Sequence, residues 1–405
     1  MIKKINVKQL KPGMFVHDFN CGWLNHPFLT DSILVDNERI IEKVLKHGIQ
    51  ELYIDTDKGA DVANAPTEEE VRREIQTEIT RVVEQEKTNI HPVPIQEELI
   101  RAGEIKKEAK RNIQSLMEDV RLGKQIQVEK TEHVVDEMID SIFRNQDALV
   151  SLARIREKDE YTYMHSVSVG VLMIAFGRHL GCDVPLLREL GVGGMLHDIG
   201  KMIVSQVILT KEEKLTEKEL ELMKKHVEYS RILLEQTHGI TETAVILAAQ
   251  HHERVDGTGY PLGLKGDEIA YYSRAVAIAD VYDAMTSQRC YQNRYQPTDA
   301  LRKLYEWSNY HFDRDLMQQF IRCVGIYPVG TLVRLGSGLV GVIIKHGETS
   351  LLHPVIRIVY DSRKEKHIRV PYDLDLSLPA GKGGEDRIVS YESPDKWGLR
   401  PEMYL

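Results

Sequence analysis

Seven histidine and aspartate side chains recur through the middle of the chain in otherwise apolar surroundings. They are His165, the pair His197-Asp198, His226, the pair His251-His252, and Asp280. An unpaired carboxylate in an apolar bundle is costly, so each aspartate must either meet a base or bind a cation. Imidazole and carboxylate together suit first-row divalent metal ions, and helical bundles assemble such ligands from facing helices. The pattern therefore predicts one shared metal centre, in preference to seven separate hydrogen-bonded core residues.

The elements that must position these ligands are predicted to be helices. Residues 161–180 are apolar almost all round and are followed by Gly181, which is typical of a buried helix and its end. Thr216-Glu-Lys-Glu219 is a capping box that opens another helix. Further helices are predicted over residues 243–252, 274–287 and 298–307. Residues 146–326 are therefore expected to form an all-α bundle.

The flanking segments differ in character from this bundle. Residues 1–65 predict a small α/β domain, with strands around the turn Lys11-Pro12-Gly13 and a short helix that ends at Gly48. Residues 66–145 are rich in Glu, Lys, Arg and Gln, and they predict a helical linker broken by Pro92 and Pro94. This linker is expected to be a solvated connecting helix or helical hairpin, with a dimerising helix as the alternative. Strand-like runs separated by glycines predict a small β domain over residues 327–405.

The composition favours a folded globular protein and argues against a membrane-spanning or nucleic-acid-binding one. The 405 residues are 42% hydrophobic and 28% charged, which is typical of a folded globular chain of several domains. No apolar run approaches the roughly 18 residues that a membrane span requires. A net charge of −9 argues against binding to DNA or RNA polymers. The four cysteines include no CxxC pair, which excludes a thiolate zinc knuckle and favours a reducing, cytoplasmic location.

Two long motifs carry a family resemblance. His197-Asp198-Ile-Gly-Lys201, followed by His251-His252-Glu-Arg-Val-Asp256-Gly-Thr-Gly-Tyr-Pro261, resembles the HD-GYP family. That family is a branch of the HD hydrolase superfamily which cleaves the bacterial messenger cyclic di-GMP. The resemblance covers roughly residues 150–326 and implies an HD-type helical bundle as the catalytic core. The stretches Leu10-Lys-Pro-Gly-Met-Phe-Val16 and Trp23-Leu-Asn-His-Pro-Phe28 are similar to a small domain that often precedes such blocks.

The resemblance implies a site for two metal ions. One ion would be held by His165, His197, Asp198 and Asp280, and the other by His226, His251 and His252, with Asp198 bridging the pair. A carboxylate suits the bridging position because it offers two oxygens. Two such cations polarise a phosphodiester and lower the pKa of a water between them. The family suggests iron or manganese, while nickel and zinc also accept this ligand set.

One departure from the family concerns a third ion. Some members bind it through a glutamate one helical turn before the first histidine, where this chain has Tyr161. A neutral phenol is a poor ligand for a hard cation. Asp283 is the remaining candidate ligand for such an ion, and a centre of two ions is expected.

Three residues are candidates for contact with substrate. Lys201 would meet a phosphate oxygen as a point charge and is predicted, with Asp198, to be catalytic; a surface lysine is the alternative. Arg289 matches the family's phosphate- or guanine-contacting arginine, although Gln292 replaces a basic residue found three positions later. Tyr260 would stack on guanine or line the pocket. The alternative interpretation is that this loop is a rigid structural turn with Tyr260 packed inside.

The predicted function is hydrolysis of cyclic di-GMP to linear pGpG by a metal-dependent phosphodiesterase, and the sequence leaves open whether pGpG is cleaved further to GMP. One alternative is a non-catalytic cyclic di-GMP receptor, which the complete ligand set disfavours. Another is an HD-type hydrolase of a different nucleotide, which the Gly-Tyr-Pro motif disfavours. The expected partners are the dinucleotide, a diguanylate cyclase docked at residues 256–261, and a second copy of the chain at the linker.

Overall fold

The computed structural model describes residues 1–22, 26, 28, 30–84, 92–154, 161–211, 213–287, 295–347, 350–378 and 386–405. In these residues a mostly helical core is preceded by a small α/β region and followed by a β-sheet, which confirms the predicted fold class. Within the same ranges, no helix combines the length and the hydropathy needed to cross a bilayer.

The N-terminal region is an antiparallel sheet covered by one helix. Its strands are β1 (Ile2–Asn6), β2 (Phe15–Asp18), β3 (Ile33–Leu34) and β4 (Glu51–Asp55), in the order β1-β4-β2-β3. Helix α1 (Glu38–Lys46) begins where the Asn37 side chain accepts a hydrogen bond from Ile40 N. It ends before Gly48, whose φ of +72° is a conformation that glycine adopts without strain. Val16, Val44 and Ile54 form part of a small hydrophobic core of this region's own.

The helical part follows from residue 68. Its helices are α2 (Glu68–Glu84), α3 (Ile95–Arg121), α4 (Glu129–Arg154), α5 (Tyr161–His179), α6 (Val184–Leu196), α7 (Gln206–Leu209), α8 (Glu217–Lys224), α9 (His226–Glu235), α10 (Glu242–Gln250), α11 (Tyr271–Thr286), α12 (Pro297–Trp307) and α13 (Arg314–Val324). The capping box at Thr216 and Glu219 is confirmed, and Gly181 follows α5 with a φ of +82°.

The C-terminal region is a five-stranded antiparallel sheet. Its strands are β5 (Leu332–Leu335), β6 (Leu339–Lys345), β7 (Val355–Asp361), β8 (Lys366–Asp375) and β9 (Ile388–Tyr391), in the order β8-β7-β6-β5-β9. A short helix, α14 (Pro394–Trp397), lies near the chain end.

The linker helices belong to the central core. Helices α3 and α4 form a hairpin in which the buried Glu98 pairs with Arg144 at 2.7 Å. Their inner faces, including Ile113 and Met138, share one hydrophobic cluster with Phe320 of α13 and Ile343 of β6. The segment is therefore more than a solvated connection, because its apolar face completes the bundle. The domain boundaries at residues 65, 145 and 326 stay predictions.

Candidate metal centre

Close packing of two helices brings the first ligands together. An added Cβ at Gly194 of α6 would lie 3.0 Å from the Cα of Gly170 on α5, a tight contact, so glycine favours this close approach of the two helices. As a result the rings of His165 on α5 and His197 at the end of α6 lie 5.3 Å apart, centre to centre. The remaining ligands come from Asp198 after α6, the start of α9, the residues after α10, and the middle of α11.

The buried ligand atoms form two groups. In the first, His165 Nε2 lies 3.0 Å from Asp280 Oδ1, and His197 Nε2 lies 3.8 Å from the same oxygen. Asp198 Oδ2 is 3.6 Å from His165 Nε2 and 3.3 Å from His197 Nε2. The ligand atoms of His165, His197 and Asp280 all lie within 4.8 Å of one another, as binding of a single ion requires.

The second group lies on the other side of Asp198. Asp198 Oδ1 is 3.2 Å from His226 Nε2 and 3.7 Å from His251 Nε2. With His252, these residues again place all their ligand atoms within 4.8 Å of one another. His252 Nδ1 also lies 3.9 Å from Asp280 Oδ2. Asp198 therefore presents one carboxylate oxygen to each group.

Hydrogen bonds on the far side of three rings orient them toward the centre. The Nδ1 atoms of His197, His226 and His251 lie 2.7, 2.7 and 2.9 Å from the carbonyl oxygens of Gly194, Met223 and Ala248. A carbonyl can only accept, so Nδ1 carries the proton and the Nε2 lone pair faces inward. Among the residues that the structure describes, those three Nε2 atoms and Asp198 Oδ1 are buried without a hydrogen-bond partner. Such atoms fit divalent metal ions.

Asp283 contacts one of the candidate ligands, and its assignment to a third ion stays a prediction. Its Oδ2 lies 2.6 Å from His165 Nδ1, on the opposite side of the ring from Asp280. The carboxylate thus orients His165 in the way the carbonyls orient the other three rings. The side chain of Tyr161 lies outside the described residues.

The electrostatics favour ligands that are ready to bind a cation. Burial opposes ionisation of Asp198, but the Lys201 ammonium and His197 hold its pKa well below the usual range. Burial likewise opposes ionisation of Asp280, and His165 outweighs it and lowers the pKa of that carboxyl. Burial lowers the pKa of His251 to about 4. Ionised carboxylates and neutral imidazoles are the protonation states in which these groups bind metals.

The surroundings shift the pKa values of His197 and His252 in opposite directions. Burial alone would lower the pKa of His197, but the adjacent Asp198 carboxylate raises it. Burial and the nearby His251 ring together lower the pKa of His252. A cation near Asp198 would compete for the carboxylate that favours the charged form of His197.

Two of the predicted substrate contacts lie at the rim of this centre. Lys201, in the 3₁₀ turn Ile199–Ile203, is 26% exposed and its Nζ contacts Asp198 Oδ2. The Tyr260 ring lies 4.7 Å from the His252 ring, and Lys224 Nζ lies 5.5 Å from the Tyr260 ring centre. Arg289 and Gln292 lie outside the described residues.

Two positioning residues were not anticipated from the sequence. Glu253 is buried, and its carboxylate accepts hydrogen bonds from Leu262 N at 2.7 Å and Leu264 N at 3.0 Å. It thereby anchors the exit of residues 256–261, which we name the glycine loop. The signal available was a glutamate directly after the histidine pair.

The other residue is Gly200, which packs against the start of α9. An added Cβ there would lie 2.1 Å from the His226 carbonyl oxygen and 2.3 Å from Ser230 N. Its own N–H donates to Ser230 Oγ at 2.8 Å. This close approach holds the Asp198 turn against the helix that begins with His226.

Known protein families match both the N-terminal part of the chain and its helical core. Residues 138–316 match the family model described as HD domain, and residues 2–131 match one described as a domain of unknown function (DUF3391). The chain is 38% identical over 402 residues to the cyclic di-GMP phosphodiesterase PA4108 of Pseudomonas aeruginosa, which covers 99% of this chain and 94% of that protein.

Two further relatives match shorter regions. A cyclic di-GMP phosphodiesterase of Thermotoga maritima is 34% identical over 197 residues, covering 48% of this chain and 53% of the relative. The 3′3′-cGAMP-specific phosphodiesterase 1 of Vibrio cholerae is 39% identical over 135 residues, covering 33% of this chain and 31% of the relative. The full-length similarity to the Pseudomonas protein and the HD-domain match together show that the chain belongs to the HD-GYP family of HD-domain phosphodiesterases.

Proposed function

We propose that this protein hydrolyses cyclic di-GMP to linear pGpG at a centre of two divalent metal ions; whether pGpG is cleaved further to GMP is left open. The observation that carries the proposal is the placement of Asp198, with one oxygen beside each of two groups of inward-facing ligands. The substrate follows from the relative that covers 99% of the chain, whose name is that of a cyclic di-GMP phosphodiesterase.

The residues present fit the metal ions. Three buried imidazole nitrogens and one carboxylate oxygen have no hydrogen-bond partner within the described part of the chain, and mixed imidazole and carboxylate ligands suit iron or manganese. When bound, two such ions polarise a phosphodiester and activate a water molecule at neutral pH. We assign His165, His197 and Asp280 to one ion, His226, His251 and His252 to the other, and Asp198 to both.

The surrounding residues would bind and orient the dinucleotide. The Lys201 ammonium, beside Asp198 and partly exposed, can donate to an oxygen of the phosphate that is attacked. Tyr260 lies next to His252 at the rim, where an aromatic ring can stack on a guanine base. Asp283 keeps the His165 ring in one orientation.

The proposal is tested with purified protein, Mn²⁺ or Fe²⁺ under reducing conditions, and cyclic di-GMP, followed by chromatography of the products. Formation of pGpG is expected, and a parallel reaction with 3′3′-cGAMP measures selectivity. Binding of cyclic di-GMP with no product would indicate the receptor alternative. Hydrolysis of mononucleotides or alarmones alone would indicate a different HD-type hydrolase.

Lys201→Ala and Arg289→Ala are expected to affect different kinetic parameters. Lys201→Ala should lower kcat, because negative charge on the phosphoryl oxygens grows during attack. Arg289→Ala should raise KM, because it removes a contact shared by the ground and transition states. Loss of a charge-assisted hydrogen bond costs about 1.5–3 kcal/mol, or roughly 10- to 150-fold in either parameter. Steady-state kinetics measure both effects.

The control for this pair is Lys218→Ala, on the exposed side of α8, which should leave both parameters unchanged. An unaltered KM in Arg289→Ala would show that the substrate is held elsewhere, and an unaltered kcat in Lys201→Ala would contradict its catalytic role.

The location and the protein partners are also proposals. The described cysteines Cys21, Cys182 and Cys323 are free thiols, which supports a reducing cytoplasm. A homodimer through the linker helices and a diguanylate cyclase docked at the glycine loop stay predictions.

A further inference from the structure

The N-terminal region contacts the glycine loop directly. An added Cβ at Gly48, just after α1, would lie 2.4 Å from Thr258 Cγ2 and 2.9 Å from Thr258 Cβ. The Cα of Gly48 therefore packs against a side chain of the loop with no room for any other residue. Thr258 is two positions before Tyr260, so this contact lies close to the proposed base-stacking ring.

Hydrogen bonds within the loop fix the conformation of Thr258. Its backbone N and its Oγ1 donate to Asp256 Oδ1 at 3.0 and 2.7 Å, and Arg254 Nη1 donates to Oγ1 at 3.4 Å. Asp256 Oδ2 in turn lies 3.3 Å from His311 Nδ1. A β-branched side chain has few χ1 rotamers, and these hydrogen bonds select one of them. Thr258 consequently cannot turn its methyl away from Gly48 without losing the hydrogen bond from its Oγ1 to Asp256.

A buried polar network fixes where Gly48 lies. Glu306 on α12 accepts hydrogen bonds from Asn20 Nδ2 at 3.0 Å and Tyr53 OH at 2.8 Å, and pairs with Lys4 at 2.8 Å. Trp307 Nε1 donates to Asn20 Oδ1 at 3.0 Å. A network of buried groups that satisfy one another favours a single arrangement of the surfaces they join. The N-terminal sheet is therefore docked in one position on the helical core.

A second contact reaches the segment that leads to the metal ligand His226. Lys214, just before α8, donates to the Phe28 carbonyl oxygen at 2.8 Å, and its Nζ lies 3.1 Å from His26 Nε2. Helix α8 ends at Lys224, whose ammonium lies over the Tyr260 ring. The N-terminal region thus touches both segments that flank Tyr260.

We propose that the N-terminal region is a positioning element for the substrate loop, in which Gly48 and Thr258 are the positioning residues that set Tyr260 beside His252. This rests on the proposed function, because Tyr260 is taken to stack on a base of a cyclic dinucleotide. It assigns a role to the first part of the match to the domain of unknown function, the sheet and helix of residues 2–55. The proposed role concerns the position of Tyr260 and does not include binding of the metal ions.

The test compares Gly48→Asn with Gly123→Asn. Both glycines have a φ of +72°, and asparagine tolerates that conformation better than most residues. An added Cβ at Gly123 meets no atom of the described residues within 4 Å, whereas at Gly48 it meets Thr258. The matched pair therefore separates displacement of the loop from strain in the backbone.

In Gly48→Asn we expect the KM for cyclic di-GMP to rise about 10-fold, the size of one weakened base-stacking contact. Its hydrolysis of bis(p-nitrophenyl) phosphate, which has no base to stack, should stay at the level of the unmodified protein, as should its metal content. Gly123→Asn should leave all three quantities unchanged. Thr258→Gly removes the atoms that the new side chain meets, so Gly48→Asn should add nothing to the KM of Thr258→Gly.

An unchanged KM in folded Gly48→Asn, or an equal rise in Gly123→Asn, would overturn the inference. So would a loss of bound metal or of activity on the aryl phosphodiester, because the effect would then lie at the metal centre. If the unmodified protein hydrolyses 3′3′-cGAMP and not cyclic di-GMP, the proposed substrate is wrong and the same variants are compared on 3′3′-cGAMP. If it hydrolyses the aryl phosphodiester and no cyclic dinucleotide, both proposals are overturned.

Discussion

Asp198→Ala is expected to abolish hydrolysis and to reduce the bound metal from two ions per chain to one or none. The reason is that Asp198 presents an oxygen to each ligand group, so its loss removes a ligand from both ions at once. Removing one preorganised electrostatic group from a catalytic site already costs about 100- to 1,000-fold in rate. Loss of a shared metal ligand should therefore lower kcat by more than about 1,000-fold.

Metal analysis of the purified variant, together with its rate on cyclic di-GMP, measures the effect. The matched control is Asp136→Ala, which removes a half-exposed carboxylate that pairs with Arg188 at 2.7 Å. An exposed pair of this kind contributes little to stability, so activity and metal content should stay unchanged. Retention of two ions per chain by Asp198→Ala would refute the assignment of a bridging carboxylate.

Gly200→Ala is expected to have the second largest effect, although the change adds only one methyl group. The added Cβ would lie 2.1 Å from the His226 carbonyl oxygen, and a backbone atom at the start of a helix cannot move without moving His226. Overpacking of this kind destabilises a protein by about 1–3 kcal/mol. Displacement of a catalytic group by about 1 Å can cost 100-fold in rate.

Thermal unfolding and steady-state kinetics test this expectation together. Gly103→Ala in α3 is the control, because an added Cβ there lies more than 4 Å from the other residues that the structure describes, and alanine favours a helix over glycine. It should keep full activity and be equally stable or slightly more stable. If Gly200→Ala keeps both its activity and its melting temperature, the turn that contains Asp198 can move away from α9 at little cost, and this expectation is wrong.

The candidate metal ligands could be predicted from the sequence because each is a polar residue in or at the end of an apolar helix, a pattern that is costly without a partner. Helix ends at Gly48 and Gly181 were predictable because glycine takes positive φ without strain. These signals are local. They depend on a few neighbouring residues and not on the tertiary arrangement.

The remaining features depend on contacts between distant parts of the chain. The packing of Gly48 on Thr258 joins residues 210 positions apart, and nothing near either residue indicates it. Asp283 could be assigned to His165 only once α5 and α11 were placed side by side. Strand β8 was not anticipated; it lies at the sheet edge, is largely exposed and contains Pro371, which an edge strand tolerates.

The hydrogen bonds to Nδ1 of the candidate ligand histidines determine which substitutions can alter the orientation of those rings. His197, His226 and His251 each use the carbonyl three residues earlier in the chain, at a helix end. A backbone acceptor does not depend on the chemistry of its own side chain, so substitutions at Met223 or Ala248 that fit the available space leave the ring orientation intact. His165 relies on a carboxylate instead, and a single substitution at Asp283 removes it. One of these four histidines therefore has an orientation that evolution can adjust by point mutation, while the other three change only when a helix end is lengthened or shortened.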